Sequence, residues 1–152
     1  MKLLFVCTGN SCRSVIAEYL LGKMAADRKL AGWEARSAGT AADPSFPTPE
    51  GVAVALGERG IEFETRRPQP VSAELMEWAD IVLPMTNGHR EHILNAHPEH
   101  KDKIRLFLEF AGGGPGNVED PIGRPVSAYR QCRDVLEKGL ERILEHHATK
   151  SH

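Results

Sequence analysis

The chain has 152 residues and a formal net charge of −2, with 41% hydrophobic and 26% charged residues. That length buries a substantial core as one domain spanning 1–152, and the balance excludes disordered and membrane-embedded classes. A slightly acidic chain is also no nucleic-acid binder working by bulk basicity.

In chain order, residues 3–6 are a continuous apolar run, the pattern of a strand covered on both faces. The run is too short for a signal-peptide core or a membrane span. The three cysteines have no framework spacing and fit a reducing compartment with a reactive thiol. A cytoplasmic, monomeric protein with no membrane or nucleic-acid partner is expected. Residues 14–28 read as a helix, with Ile16, Leu20 and Met24 at helical spacing beside Ala17 and Leu21. Residues 33–37 read as a second strand closed by Gly39. Thr48 is the expected N-cap and Pro49 the first position of a helix that runs to 58 and stops at Gly60. A connection over 61–70 leads to a short helix over 72–78. Residues 81–83 form a third strand, 86–96 a polar helix, and 104–108 a fourth strand. The Gly- and Pro-rich stretch 111–125 is a loop. The last helix starts at 125 or 126, with Tyr129, Cys132, Leu136, Leu140 and Ile143 on one face and a frayed tail from 146. Strands alternating with helices predict an α/β fold with a parallel sheet covered on both sides, whose ligands bind at the carboxyl ends of the strands.

One such end carries Cys7-Thr8-Gly9-Asn10-Ser11-Cys12-Arg13-Ser14. Five residues separate the thiol from the arginine, and the loop opens directly into a helix. A thiolate is the reactive form of cysteine. Inward-pointing amides at a helix start, with the helix dipole, favour an anion there, and Arg13 adds permanent positive charge. Its planar fork suits two phosphate oxygens. Gly9 keeps side chains off the anion, Asn10 tolerates positive φ, and the Ser14 hydroxyl is placed to donate to the thiolate. These features predict a catalytic anion loop with Thr8, Gly9, Asn10, Ser11, Cys12 and Ser14 around the ligand. Cys12 is either a partner for a reversible disulfide with an oxidised Cys7 or a small filler against the sheet. Cys132 reads as core. His89, His92, His97 and His100 read as a polar surface helix rather than a metal site, and no metal or cofactor is expected.

The segment CTGNSCRS after an N-terminal strand resembles the active-site loop of the low-molecular-weight protein tyrosine phosphatase family. Residues 36–40, residues 79–85, and Asp120-Pro121 followed by Tyr129 extend the likeness over nearly the whole chain. The resemblance implies a small doubly wound sheet of four parallel strands. It implies a phosphocysteine intermediate on Cys7, Asp120 as the acid and then the base, and Ser37 supporting the loop with Asn10 and Ser14. Phosphorylated proteins are the implied substrates.

Two departures bear on which substrate. Tyrosine-specific members place aromatic residues after the Asp-Pro pair, where this chain has Ile122-Gly123. Arginine phosphatases of the family carry Thr at the position of Ser11 and Asp-Pro-Phe-Gly in the acid loop, a partial match. The segments 74–77 and 129–131 resemble the bacterial arginine phosphatases, so phosphoarginine and phosphotyrosine both stand, with a lean to the first. A histidine that many members carry before the helix leading to the third strand is replaced by Thr65-Arg66-Arg67-Pro68, which reads as a solvated turn. Arsenate reductase on the same scaffold is the alternative, disfavoured by the lack of cysteine over 80–100. A phosphocysteine carrier fits less well, since Arg13 and Asp120 both promote hydrolysis.

Overall fold

The strand that opens the chain organises everything around it. The computed structural model describes residues 1–114 and 116–148. In it β1 (Lys2–Cys7) is the middle strand of a parallel sheet, between β2 (Glu34–Gly39) and β3 (Ile81–Pro84). The helices in chain order are α1 (Arg13–Asp27), α2 (Glu50–Gly57), α3 (Ala73–Trp78), α4 (Asn87–Ala96), α5 (Phe107–Phe110) and α6 (Val126–His147), with a 3-10 stretch at Pro98–Lys103. Because strand side chains alternate between faces, β1 feeds two cores. Leu3, Phe5 and Cys7 pack with residues of α1, α2 and α6. Leu4 and Val6 pack with Leu75 and Met76 of α3 and Ile93 of α4. A strand buried on both sides has no polar face, hence the unbroken apolar run.

Among the described residues the sheet has three strands, not four. The expected fourth strand touches the sheet through one bridge, Val82 to Ile104, and one hydrogen bond from Arg105 N to Val82 O at 2.9 Å. Beyond it Leu106 and Phe107 are both buried. A run of buried side chains suits a covered strand or a packed helix alike, and here the chain coils into α5, with Phe107 against Gly139 of α6. Other differences are small. Ser72 and Thr86, expected inside their helices, are N-caps whose hydroxyls accept from Leu75 N and His89 N. Pro49 is the cap of α2, with Glu50 first in the helix. Helix α6 continues through His147, so fraying does not begin at 146; residues 149–152 lie outside the described residues. Among the described residues no helix is long and apolar enough to cross a membrane.

Candidate active site

At the carboxyl end of β1 the chain leaves the sheet at Cys7 and enters α1 at Arg13; in the loop between them Asn10, Ser11 and Cys12 are buried, Gly9 is half-buried and Thr8 is exposed. Asn10 holds φ 53°, the left-handed turn that asparagine tolerates. Gly39, at the end of the neighbouring strand, lies so close that a Cβ there would sit 2.5 Å from Thr8 O. Only glycine allows β2 to support the loop at that distance. Thr40 N and Ala41 N donate to Cys7 O and Thr8 O, both at 2.9 Å. By contrast, the backbone N–H groups of Gly9, Asn10, Ser11 and Cys12 have no protein acceptor among the described residues. Buried amides are normally paired. Four consecutive unpaired ones at an uncapped helix start form a cradle for an anion.

The side chains add direction. Arg13 is buried; its Nη1 donates to Val118 O at 3.0 Å, Nη2 stands 3.5 Å from Asp120 Oδ2, and its buried Nε has no partner among the described residues. Asp120 is half exposed, and its Oδ1 accepts the Ile122 N–H at 3.1 Å. The strip carrying it is tied to the end of β3 by Val118 N to Met85 O at 2.9 Å. A residue more than a hundred positions along the chain is thereby brought over the loop.

Beneath the loop runs a chain of hydrogen bonds. Cys7 Sγ and Ser14 Oγ are 2.9 Å apart. Asn10 Nδ2 donates to Ser14 Oγ and to Ser37 Oγ, both at 2.9 Å, and its Oδ1 accepts Gln69 N–H at 2.9 Å. That last bond fixes which way the amide points, since a backbone N–H can only donate. Ser37 Oγ donates to Glu18 Oε1 at 2.5 Å and accepts from Arg66. Arg66 also grips both Glu18 oxygens, at 2.8 and 3.2 Å. With Ser14 Oγ occupied by Asn10 as donor, its own proton is directed at Cys7 once the thiol ionises.

Cys7, Arg13 and Asp120 thus come together, with Asn10, Ser14 and Ser37 beneath them. Thr8, Gly9, Ser11 and Cys12 line the cavity above Cys7, which has a volume of about 390 Å³. Arg66 corrects the reading of 65–68 as a solvated turn: it faces inward, while Arg67 is exposed. His89 likewise leaves the expected surface. It is buried, its Nε2 2.7 Å from Thr8 Oγ1 and its Nδ1 3.0 Å from Thr86 Oγ1, and burial and then Arg13 pull its pKa down to about 4. Burial pushes the Cys12 thiol up to about 11 and that of Cys132 to about 12, so neither competes as a thiolate. Glu18 is legible in hindsight, one helical turn beyond Ser14 on the same face. Asp43, Phe46 and Pro47, which also line the cavity, were signalled by the turn sequence Asp43-Pro44-Ser45.

A family model described as low molecular weight phosphotyrosine protein phosphatase matches residues 2–151. The chain is 40% identical to a protein-arginine-phosphatase of Geobacillus stearothermophilus, over 95% of this chain and 94% of that one. It is 38% identical to a protein-arginine-phosphatase of Bacillus subtilis, over 94% of each. A solved structure of the YwlE arginine phosphatase carrying a phosphorylated active-site serine superposes with a TM-score of 0.92 at 35% identity, covering 99% of this chain and 98% of that one.

Proposed function

The chain belongs to the low molecular weight phosphotyrosine protein phosphatase family, and on that premise we propose that it hydrolyses phosphoarginine in proteins through a phosphocysteine on Cys7. The supporting observation is the loop itself: four amides and an Arg13 Nε with no partner among the described residues surround the approach to a cysteine that Ser14 can hydrogen-bond. In the first step Cys7 Sγ attacks phosphorus and an S–P bond forms. The bond to the leaving nitrogen breaks and Asp120 delivers its proton there. In the second step water attacks phosphorus, Asp120 takes a proton from it, and the S–P bond breaks to release phosphate and thiolate. The acid matters greatly for arginine, since a free guanidine is a strong base whose conjugate acid has a pKa above about 12. Arg13 and the loop amides hold the equatorial oxygens as charge redistributes. The arginine phosphatase names of the relatives support this substrate.

Phosphotyrosine is the second reading. The aromatic residue missing after Pro121 has a counterpart in Phe46, an exposed ring lining the same cavity. Matched peptides carrying phosphoarginine or phosphotyrosine decide between the two, and faster phosphate release from phosphotyrosine overturns the first. Cys7→Ser is expected to abolish turnover of both. Asp120→Asn is expected to slow an activated aryl phosphate little and a poor leaving group by about a hundredfold or more. Turnover by Cys7→Ser at the native rate sinks the mechanism.

A further inference from the structure

The cavity over Cys7 is polarised. Its floor is cationic, made by Arg13 and the start of α1, while two carboxylates line it higher up: Asp120 and Asp43. Asp120 is occupied with Arg13 and the Ile122 amide. Asp43 has no cationic partner among the described residues. It opens a tight turn in which Phe46 N donates to Asp43 O at 3.1 Å, with Pro44 at the position where a fixed φ favours the turn. Asp43 Oδ1 accepts both Ser45 N at 2.9 Å and Ser45 Oγ at 2.7 Å. The side chain is short and doubly anchored, so little freedom remains to be lost when it meets a ligand. Both bonds fall on one oxygen, and Oδ2 has no protein partner among the described residues. The two Ser45 donors, side chain first, also hold the Asp43 carboxyl below its ordinary range, so the group is charged at neutral pH.

We infer that Asp43 is a specificity-determining residue, a fixed carboxylate whose free oxygen receives the guanidinium of phosphoarginine while the loop holds the phosphoryl group. The inference rests on the phosphatase reading above and concerns the choice between its two substrates. Phosphoarginine joins an anion to a planar cation, matching a pocket cationic at its floor and anionic at its mouth. A phosphotyrosine ring offers that oxygen no donor and displaces water from it, which disfavours the ring. Phe46 and Ile122 flank the opening with apolar surface that suits either ligand, so charge at Asp43 is the element that discriminates.

The test compares two peptides of identical flanking sequence, one with phosphoarginine and one with phosphotyrosine, on wild type, Asp43→Asn and Asp43→Glu. For Asp43→Asn the ratio of kcat/KM for phosphoarginine over phosphotyrosine is expected to fall about fivefold, the size of an exposed charge contact, chiefly through KM. Asp43→Glu recovers part of the ratio. The wild-type ratio falls as salt is raised, and the Asp43→Asn ratio falls less steeply, because part of the screened charge is the one that the variant lacks. An unchanged ratio in Asp43→Asn, or the same salt slope in both proteins, overturns the inference while leaving the phosphoarginine assignment intact. A wild type that releases phosphate from phosphotyrosine but not from phosphoarginine overturns that assignment and this inference together.

Discussion

Arg66 ends the chain of hydrogen bonds under the catalytic loop, and it ends it with a guanidinium fork. Its guanidinium holds Glu18 and Ser37, and Ser37 is one of two acceptors for Asn10, which in turn sets Ser14. Arg66→Ala leaves the partly buried Glu18 carboxylate without its cation and frees Ser37 to rotate. Loss of hydrogen bonds to a charged group costs about 1.5–3 kcal/mol, shared between stability and loop order. The expected result is a drop in kcat of about tenfold with KM for an aryl phosphate little changed, since the positioning acts on Cys7 rather than on the substrate. Arg66→Lys keeps the charge but not the fork, and should fall between. The rate at which iodoacetate alkylates Cys7 checks the route: it falls in Arg66→Ala if the Ser14 proton has lost its direction. An unchanged alkylation profile with lowered kcat would assign the residue elsewhere. Asn10 and Ser14 were legible in the sequence because they lie inside the loop motif. Arg66 was not, since its partner Glu18 is 48 positions away and no local pattern points between them.

At the scale of elements, α6 seats against its neighbours through two glycine contacts. A Cβ on Gly139 would fall 2.7 Å from Phe107 Cε2, and one on Gly51 of α2 would fall 2.5 Å from Tyr129 Cδ2. The first contact also explains the missing fourth strand: α5 turns in order to bury Phe107 against the flat patch that Gly139 leaves on α6. Apolar residues at 104–108 read as a strand because sequence shows that they are buried, not which element covers them. Gly139→Ala separates propensity from packing. In an exposed helix the change would stabilise by about 1 kcal/mol. Here the added methyl meets a fully buried ring, and overpacking of this kind costs about 1–3 kcal/mol. Net destabilisation in a urea melt is the expected outcome, with the m-value preserved. A stabilised variant would mean that Phe107 has room to move.

Across the whole molecule, His89 links the α4 side of the sheet to the catalytic loop. It joins the cap of α4 at Thr86 to Thr8 in the loop. Its pKa is lowered from 6.5 to about 4, by burial first and the Arg13 charge second, with His92 adding slightly and Asp120 opposing. The folded state therefore carries a neutral ring where the unfolded chain takes up a proton. With more protons bound in the unfolded state, stability rises with pH, so the loss begins as pH falls below about 6.5 and levels off near 4. His89→Gln retains a donor and an acceptor for the two threonines but cannot titrate. The wild-type urea midpoint should fall relative to that of His89→Gln as pH drops through that window, with a constant difference above pH 7, because only the wild type takes up this proton on unfolding. Carboxylates titrating over the same range affect both proteins and cancel in the difference. Midpoints that run parallel from pH 7 to pH 4 would show that the ring is protonated in place without cost, and would remove His89 as the tie between α4 and the loop.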